Sequence, residues 1–487
     1  MSVQTAPDKA QQKTFFGQPP VLANLFGVEL WERFSFYGMQ GILLIYLYYA
    51  AADGGLGMDK ATAAGIVGAY GGLVYLSTIL GAWVADRLLG SERTLFYSAS
   101  VIMLGHIALA LLPGYLGVGA GLILVGVGSG GLKANATSLV GSLYDEQDPR
   151  RDAGFSLFYL GINLGALAGP LLTGLAQKNW GFHFGFGLAA IGMAAGLVQY
   201  TLGRSRLPEQ SHHVSNPLPP ERRRVAGAVA VAAVALIVVL VLSGLLTATN
   251  LENVVIGAII AASVAYFVVI LTSSRVTSVE RSRVVAFIPM FIASAAFWSL
   301  FQQQFTVVTI YFDERVDRTI LGWEMPVSWA QSINPVFIIL MAGAFAGLWT
   351  RLGTRQPSTP VKFALGTALM GVAFLAFIPM AGGGANSAPF LGLVGVLFLF
   401  TVAELLLSPV GLSLATKLAP AIFRTQMVAL FFLSVALGSA MSGWLAGFYS
   451  AENETAYFGV LGGVAIGLGV LLAAASRPIR KLMAGVH

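Results

Sequence analysis

The sequence predicts an all-α membrane protein of fourteen spans, and three observations predict it. The 487-residue chain is 56% hydrophobic and only 10% charged, with a mean hydropathy of +0.77, whereas soluble domains carry about 25% charged residues. Apolar segments of about 18 or more residues, enough to cross a bilayer, fall near 22–50, 61–85, 94–113, 117–140, 154–176, 183–203, 225–246, 253–272, 284–312, 327–350, 361–381, 388–415, 425–448 and 456–476. With the N-terminus in the cytoplasm, 22 Lys and Arg fall on inward connections, Lys9 and Lys13 among them, and 4 on outward ones: Lys60, Lys178, Arg315 and Arg318. This positive-inside asymmetry fits both the span count and the orientation, with both termini cytoplasmic. The net charge of +6 is thereby topology and not a nucleic-acid footprint.

The first span carries Glu29-Leu30-Trp31-Glu32-Arg33-Phe34-Ser35-Phe36-Tyr37-Gly38, three ionised groups within five residues. Each charge at a bilayer centre costs roughly 2.5–3.5 kcal/mol by insertion scales, so such groups must face a protein interior or a water-filled cavity. At about 100° per residue, Glu29, Glu32, Arg33, Tyr37 and Gln40 share one helix face. The first twenty residues lack the apolar core of a cleavable signal, so this segment reads as a true span.

Gly81-Ala82-Trp83-Val84-Ala85-Asp86-Arg87-Leu88-Leu89-Gly90 joins the second span to the third, and a degenerate copy, Gly347-Leu348-Trp349-Thr350-Arg351-Leu352-Gly353-Thr354-Arg355, follows the tenth. Asp86 and Arg87 read alone are solvated loop charge; the repeat points to two related six-helix halves with a solute site between them. From 203 to 224, Pro208, Pro217, Pro219, Pro220 and a basic run read as a solvated linker, followed by two spans of nearly pure Ala, Val, Leu and Ile. The predicted division is 1–203, a six-helix bundle; 204–283, linker plus two additional helices; and 284–487, a second six-helix bundle.

Apart from loop charges, the spans hold only Glu29, Glu32, Arg33, Lys133 and Glu404. Lys133 lies midway along the fourth span in Gly128-Ser129-Gly130-Gly131-Leu132-Lys133-Ala134-Asn135. It reads either as a static bridge to Glu29 or Glu32 or as a working charge, and apolar packing achieves static holding at lower cost. Glu404 has no basic residue in the spans of its own half, so it is expected to bind a cation or be protonated; Ser408 follows one turn on, and Pro409 is expected to kink the helix. Tyr159 and Asn163, four apart in the fifth span, share a face, where an amide that merely bridges helices is the plainer reading.

The decapeptide of the first span resembles the ExxERFxYYG signature of the proton-dependent oligopeptide transporters, a branch of the major facilitator superfamily, with Phe36 at a usual tyrosine. Phe155-Ser156-Leu157-Phe158-Tyr159-Leu160-Gly161-Ile162-Asn163 is similar to the family's FYxxINxGS motif, and the 81–90 segment to the superfamily's motif between its second and third helices. The resemblance covers nearly the whole chain apart from the two additional helices. It implies the major facilitator fold and proton-coupled import of di- and tripeptides by alternating access. It also implies that Lys133 pairs with the first-helix glutamates and senses the peptide carboxylate, and that Glu404 receives the amino group. Glu29, Glu32, Arg33, Lys133 and Glu404 are then the coupling set. Tyr37, Gln40, Tyr75, Lys133, Tyr159, Asn163, Trp298, Gln303, Asn334, Glu404, Ser408 and Trp444 are the peptide-binding candidates. Two positions depart from the family: Gln40 stands where many members have arginine, and Gln302 where they have glutamate.

Other classes fit less well. Zero cysteines exclude thiol catalysis, disulfides and iron–sulfur ligation. His106, His183, His212, His213 and His487 show no catalytic or metal spacing, His106 reading as a satisfied packing residue, and no phosphate-binding loop is present. The chain is therefore expected not to be an enzyme and to need no cofactor beyond protons as coupling ion. Its expected partners are small peptides and the lipid bilayer, without nucleic acid, and it is expected to act as a monomer in a bacterial inner membrane. A receptor or scaffold has no need of mid-membrane charge in both halves. A nitrate-type carrier of another small anion or zwitterion is the alternative. The tally of three acids to two bases suits a zwitterion better.

Overall fold

The computed structural model describes residues 14–145 and 147–486, apart from the side chains of Thr354 and Pro409; Lys9, Lys13, His487 and the side chain expected to kink the helix at 409 lie outside the described residues. Among the described residues fourteen long α-helices and two short ones follow one another. The first six are α1 (Leu22–Tyr48), α2 (Lys60–Val84), α3 (Ser91–Leu111), α4 (Gly114–Gly141), α5 (Arg151–Trp180) and α6 (Phe182–Gly203). Next come α7 (Pro220–Leu242) and α8 (Leu251–Thr272). The rest are α9 (Ser278–Phe301), a short α10 (Val307–Glu314), α11 (Ala330–Leu352), α12 (Thr359–Leu375), α13 (Phe390–Leu418), α14 (Arg424–Ala446), α15 (Glu454–Ala474) and a short α16 (Ser476–Leu482). Among the described residues thirteen helical segments are long and apolar enough to cross a membrane; α1 is as long but carries Glu29, Glu32, Arg33 and Gln40. The chain is an integral membrane protein.

Local chemistry starts and stops these helices. Asp59 caps α2 by accepting from the Thr62 N–H at 2.9 Å. A capping box opens α9: Thr277 Oγ1 accepts from the Glu280 N–H at 3.3 Å while Glu280 accepts from the Thr277 N–H at 3.0 Å. Gly181, at φ 98°, makes the sharp turn between α5 and α6. A two-residue hairpin interrupts the helical pattern: β1 (Thr319–Ile320) pairs antiparallel with β2 (Trp323–Glu324), across Leu321 and Gly322, both at positive φ.

Three expectations are corrected here. The span predicted at 284–312 is not one helix. α9 tightens into a 3-10 turn at Gln302–Phe305 and breaks at Thr306 before α10 resumes, and two amides of the turn bond to side chains of other helices: half-buried Gln302 Nε2 donates to Ser439 Oγ at 3.1 Å and buried Gln303 Oε1 accepts from Tyr457 at 2.7 Å.

The 203–224 segment is not simply solvated. The Asn216 and Leu218 N–H groups donate to the Asp86 and Arg87 carbonyls, each at 2.9 Å, and Leu207, Ser211 and Leu218 are buried. Carbonyls at the end of α2, left over by the wide turn Ala85–Leu89, take the strap as their partner. Buried Glu92 anchors it further, through Arg204 at 2.6 Å and His212 at 3.2 Å. His106, thirdly, is fully buried with no partner for either ring nitrogen among the described residues, so it is packed there without being satisfied.

α1 packs on α5 and α6, and α12 on α13 and α15, while α2 against α14 and α5 against α11 join the two sets. At the α2–α14 crossing a Cβ on Gly68 would lie 2.6 Å from the Gly443 nitrogen, so only glycine permits that approach. α8 lies against both α2 and α14. α7 has no buried residue and, beyond its basic first turns, consists of Ala, Val, Leu, Ile and one Gly, so that surface belongs in lipid.

Candidate functional site

A cavity of about 1270 Å³ runs from Arg33, Tyr37, Tyr75 and Lys133 at mid-bundle to Asp86, Arg87, Ser215 and Asn216 beside the strap. It is therefore open at the strap end. At the opposite end the halves are tied together. Tyr48 and Tyr49 donate to the two oxygens of Asp313 at 2.6 and 2.9 Å, and Arg318 spans Asp313 at 3.3 Å and Glu324 at 2.8 Å. Lys60 pairs with Glu314 and Lys178 with Glu324 across the same seam. Ser328 donates to the Pro170 carbonyl at 2.8 Å, Trp329 to Leu171 at 3.1 Å and Ser332 to Leu167 at 2.9 Å.

These closures yield a prediction. Hydrogen bonds to charged groups are worth about 1.5–3 kcal/mol each, and Asp313→Asn weakens three at once. In a Ser328→Cys background, free of other thiols because the chain has no cysteine, labelling of that cysteine by a thiol reagent should quicken roughly tenfold or more. An unchanged labelling rate means that Asp313 does not hold this end shut.

The α1 charges form a compact buried group. Arg33 Nε donates to Glu29 Oε1 at 2.7 Å, and the guanidinium lies 3.4 Å from Glu32. Glu32 Oε1 accepts from Ser129 of α4 at 3.3 Å. The expected pairing of Lys133 with these glutamates is absent among the described residues. Arg33, closer on the same helix, has taken the carboxylates, and the Lys133 ammonium rests over the rings of Phe36 at 4.3 Å and Tyr75 at 5.1 Å.

Glu404 is half-buried on α13. It is not without a partner in its own half, since Asn334 of α11 donates to Glu404 Oε2 at 3.1 Å and to Thr401 at 3.0 Å. The sequence counted only charged partners, and the partner is a neutral amide.

The remaining candidates separate. Of the predicted set, Arg33, Tyr37, Tyr75 and Lys133 line the main cavity; Glu29, Glu32, Tyr159, Asn163, Asn334, Glu404 and Ser408 are not among its walls. Gln40 is buried and lines a small neighbouring pocket with Gln302. Gln303, expected at the peptide, is instead fully buried and bonded to Tyr457 of its own half. Trp298 packs edge-on to Phe297 and Phe301 with Nε1 unpartnered. Trp444, with its ring on Phe448, also lies away from the cavity walls. Asn163 donates to its own helix, to the Tyr159 carbonyl at 2.9 Å. Sequence reasoning missed Asp313, Glu314 and Glu324, which it passed over as loop acids, and Glu92. The cluster Asp313-Glu314-Arg315 at the end of an apolar run was the available signal.

A family profile described as the POT family matches residues 92–461. The chain belongs to the POT family. It is 44% identical over 479 residues to YclF, an uncharacterized transporter of Bacillus subtilis (strain 168), covering 98% of this chain and 97% of that one. It is 41% identical over 490 residues to a di-/tripeptide transporter of Lactococcus lactis subsp. cremoris, covering 98% and 99%. A mutant peptide transporter POT, solved in complex with alafosfalin, superposes with a TM-score of 0.92 at 45% identity, over 97% of this chain and 98% of that chain. With that POT structure the chain shares its fold over 97% of its length.

Proposed function

We propose that the chain is a proton-coupled symporter that imports di- and tripeptides by alternating access, and not an enzyme. The observation that carries this reading is the combination of Lys133, on the cavity wall of one half without a carboxylate partner among the described residues, with an acid within a span of the other, Glu404, held by Asn334. A short peptide is a zwitterion whose two ends suit those charges. The relatives named as peptide transporters support the same solute class. Energy is adequate: roughly 100 mV of potential supplies about 2.3 kcal/mol per charge and one pH unit about 1.4, on the order of 500-fold accumulation per proton. Glu29, Glu32, Arg33, Lys133 and Glu404 form the coupling set of this proposal.

The strap end is the cytoplasmic one in this reading, as the positive-inside count requires. The conformation is then inward-open, and both termini lie in the cytoplasm of a cell bounded by a bacterial inner membrane. The protein works as a monomer, since one chain contains both halves of the site.

One observation favours a second reading. The cavity walls carry Arg33, Arg87, Lys133 and Arg151 against Asp86, a lining that also suits a simple anion. Proteoliposomes under an inward proton gradient, offered dipeptides, free amino acids and nitrate, decide between them. Dipeptide accumulation that collapses with a protonophore is expected; nitrate uptake without dipeptide uptake overturns the peptide reading.

A further inference from the structure

Beside the main cavity, and sharing Tyr37 and Tyr75 with it, lies a small pocket of about 30 Å³ between the two halves, with Gln40 on one side and Gln302 and Phe305 on the other. Gln40 is 5% exposed, and its Oε1 has no hydrogen-bond partner. A buried acceptor left unmet costs about 1–3 kcal/mol, so a native seam is expected to satisfy it.

The orientation of Gln302 follows from its neighbour. Ser439 Oγ spends its hydrogen on the Val435 carbonyl at 2.9 Å and is left with lone pairs only. It must therefore accept at 3.1 Å from Gln302, which places the Gln302 nitrogen on Ser439 and leaves Oε1 for the other side. Gln40 Oε1 on one half is thus an unmet acceptor and Gln302 Oε1 on the other is the end turned away from Ser439, and both residues wall this pocket. The two oxygens, both acceptors, cannot bond to each other. What they need is a small molecule with two donors, and the pocket has room for about one water.

We infer that Gln40 and Gln302 hold a bridging water, and that this hydrated amide pair is an uncharged clasp between the halves beside the solute cavity. Neither amide carries a charge, so the clasp brings no ion into the seam. The family resemblance implies arginine and glutamate at these two positions, where this chain has two amides. The clasp also assigns Gln40 a role other than seating the peptide carboxylate.

The test uses Gln40→Met, Gln302→Met and the double variant, methionine being unbranched and close in size, each in the full-length Ser328→Cys protein in liposomes. A single replacement leaves the water and one buried oxygen short of a partner, so the seam parts more often and labelling of the cysteine quickens, about fivefold or more. The double replacement removes both needs and closes dry. It is expected to label within about twofold of the slower single variant. Labelling of the double at the product of the two singles, or no change in either single, overturns the clasp. So does a crystal structure with ordered solvent in which the pocket is empty. None of these readouts needs a transported peptide, so their failure is separable from failure of the peptide reading.

Discussion

Gradient-driven dipeptide uptake falls roughly 100-fold, to the level of empty liposomes, in Lys133→Ala. Lys133 lies at mid-membrane on the wall of the large cavity, over Phe36 and Tyr75 and without a carboxylate. Arg33, by contrast, is committed to Glu29. In the proposed function, a charge-assisted bond to the peptide carboxylate is worth about 1.5–3 kcal/mol, or roughly 10- to 150-fold. The measurement is initial uptake in proteoliposomes at equal protein density. Counterflow without a gradient is the control: it separates lost binding from lost coupling. Wild-type rates in the variant remove Lys133 from the mechanism.

The second large effect is selective. Glu404→Gln raises the KM of dipeptides with a free amino terminus about tenfold or more, while N-acetylated dipeptides change by less than about twofold, because only an ammonium needs the full carboxylate charge. The substitution is nearly isosteric. Asn334 can still donate to the remaining amide oxygen as it does to Glu404 Oε2 at 3.1 Å, so the packing of α11 on α13 survives. Equal loss for both classes of peptide means that Glu404 serves the interface between those helices and does not read the solute.

How much of the site was legible in the sequence depends on the kind of residue. Charges in apolar helices are visible because hydrocarbon excludes them, and Glu29, Glu32, Arg33, Lys133 and Glu404 stood out on that ground alone. Their pairings were not visible. Lys133 and Arg33 compete for the same two carboxylates, and backbone geometry favours the residue one turn away on the same helix over one on a neighbour. Neutral side chains were harder still. Gln303 and Trp298 carry no periodic signal that tells a cavity wall from a helix contact, and the structure places both in the packing of their own half.

The strap and the far-end latch illustrate the same division. Proline and basic residues from 203 to 224 mark the end of a helix, but the carbonyls of Asp86 and Arg87 that bind the segment lie over a hundred residues earlier. Tyr48 and Tyr49 meet Asp313 across sequence separations of 265 and 264 residues.

By itself the sequence determined that this is a membrane protein of many helical spans, how those spans are ordered, and which helices bear the charges. Those follow from solvation, which acts on each segment locally. Only the tertiary structure decided that the cavity is open at the strap end and closed at the other, that Lys133 rests on two aromatic rings, and that Gln40 and Gln302 share a pocket. Each of these is set by how two bundles meet, and the distances between them are carried by contacts remote in sequence, not by any single helix.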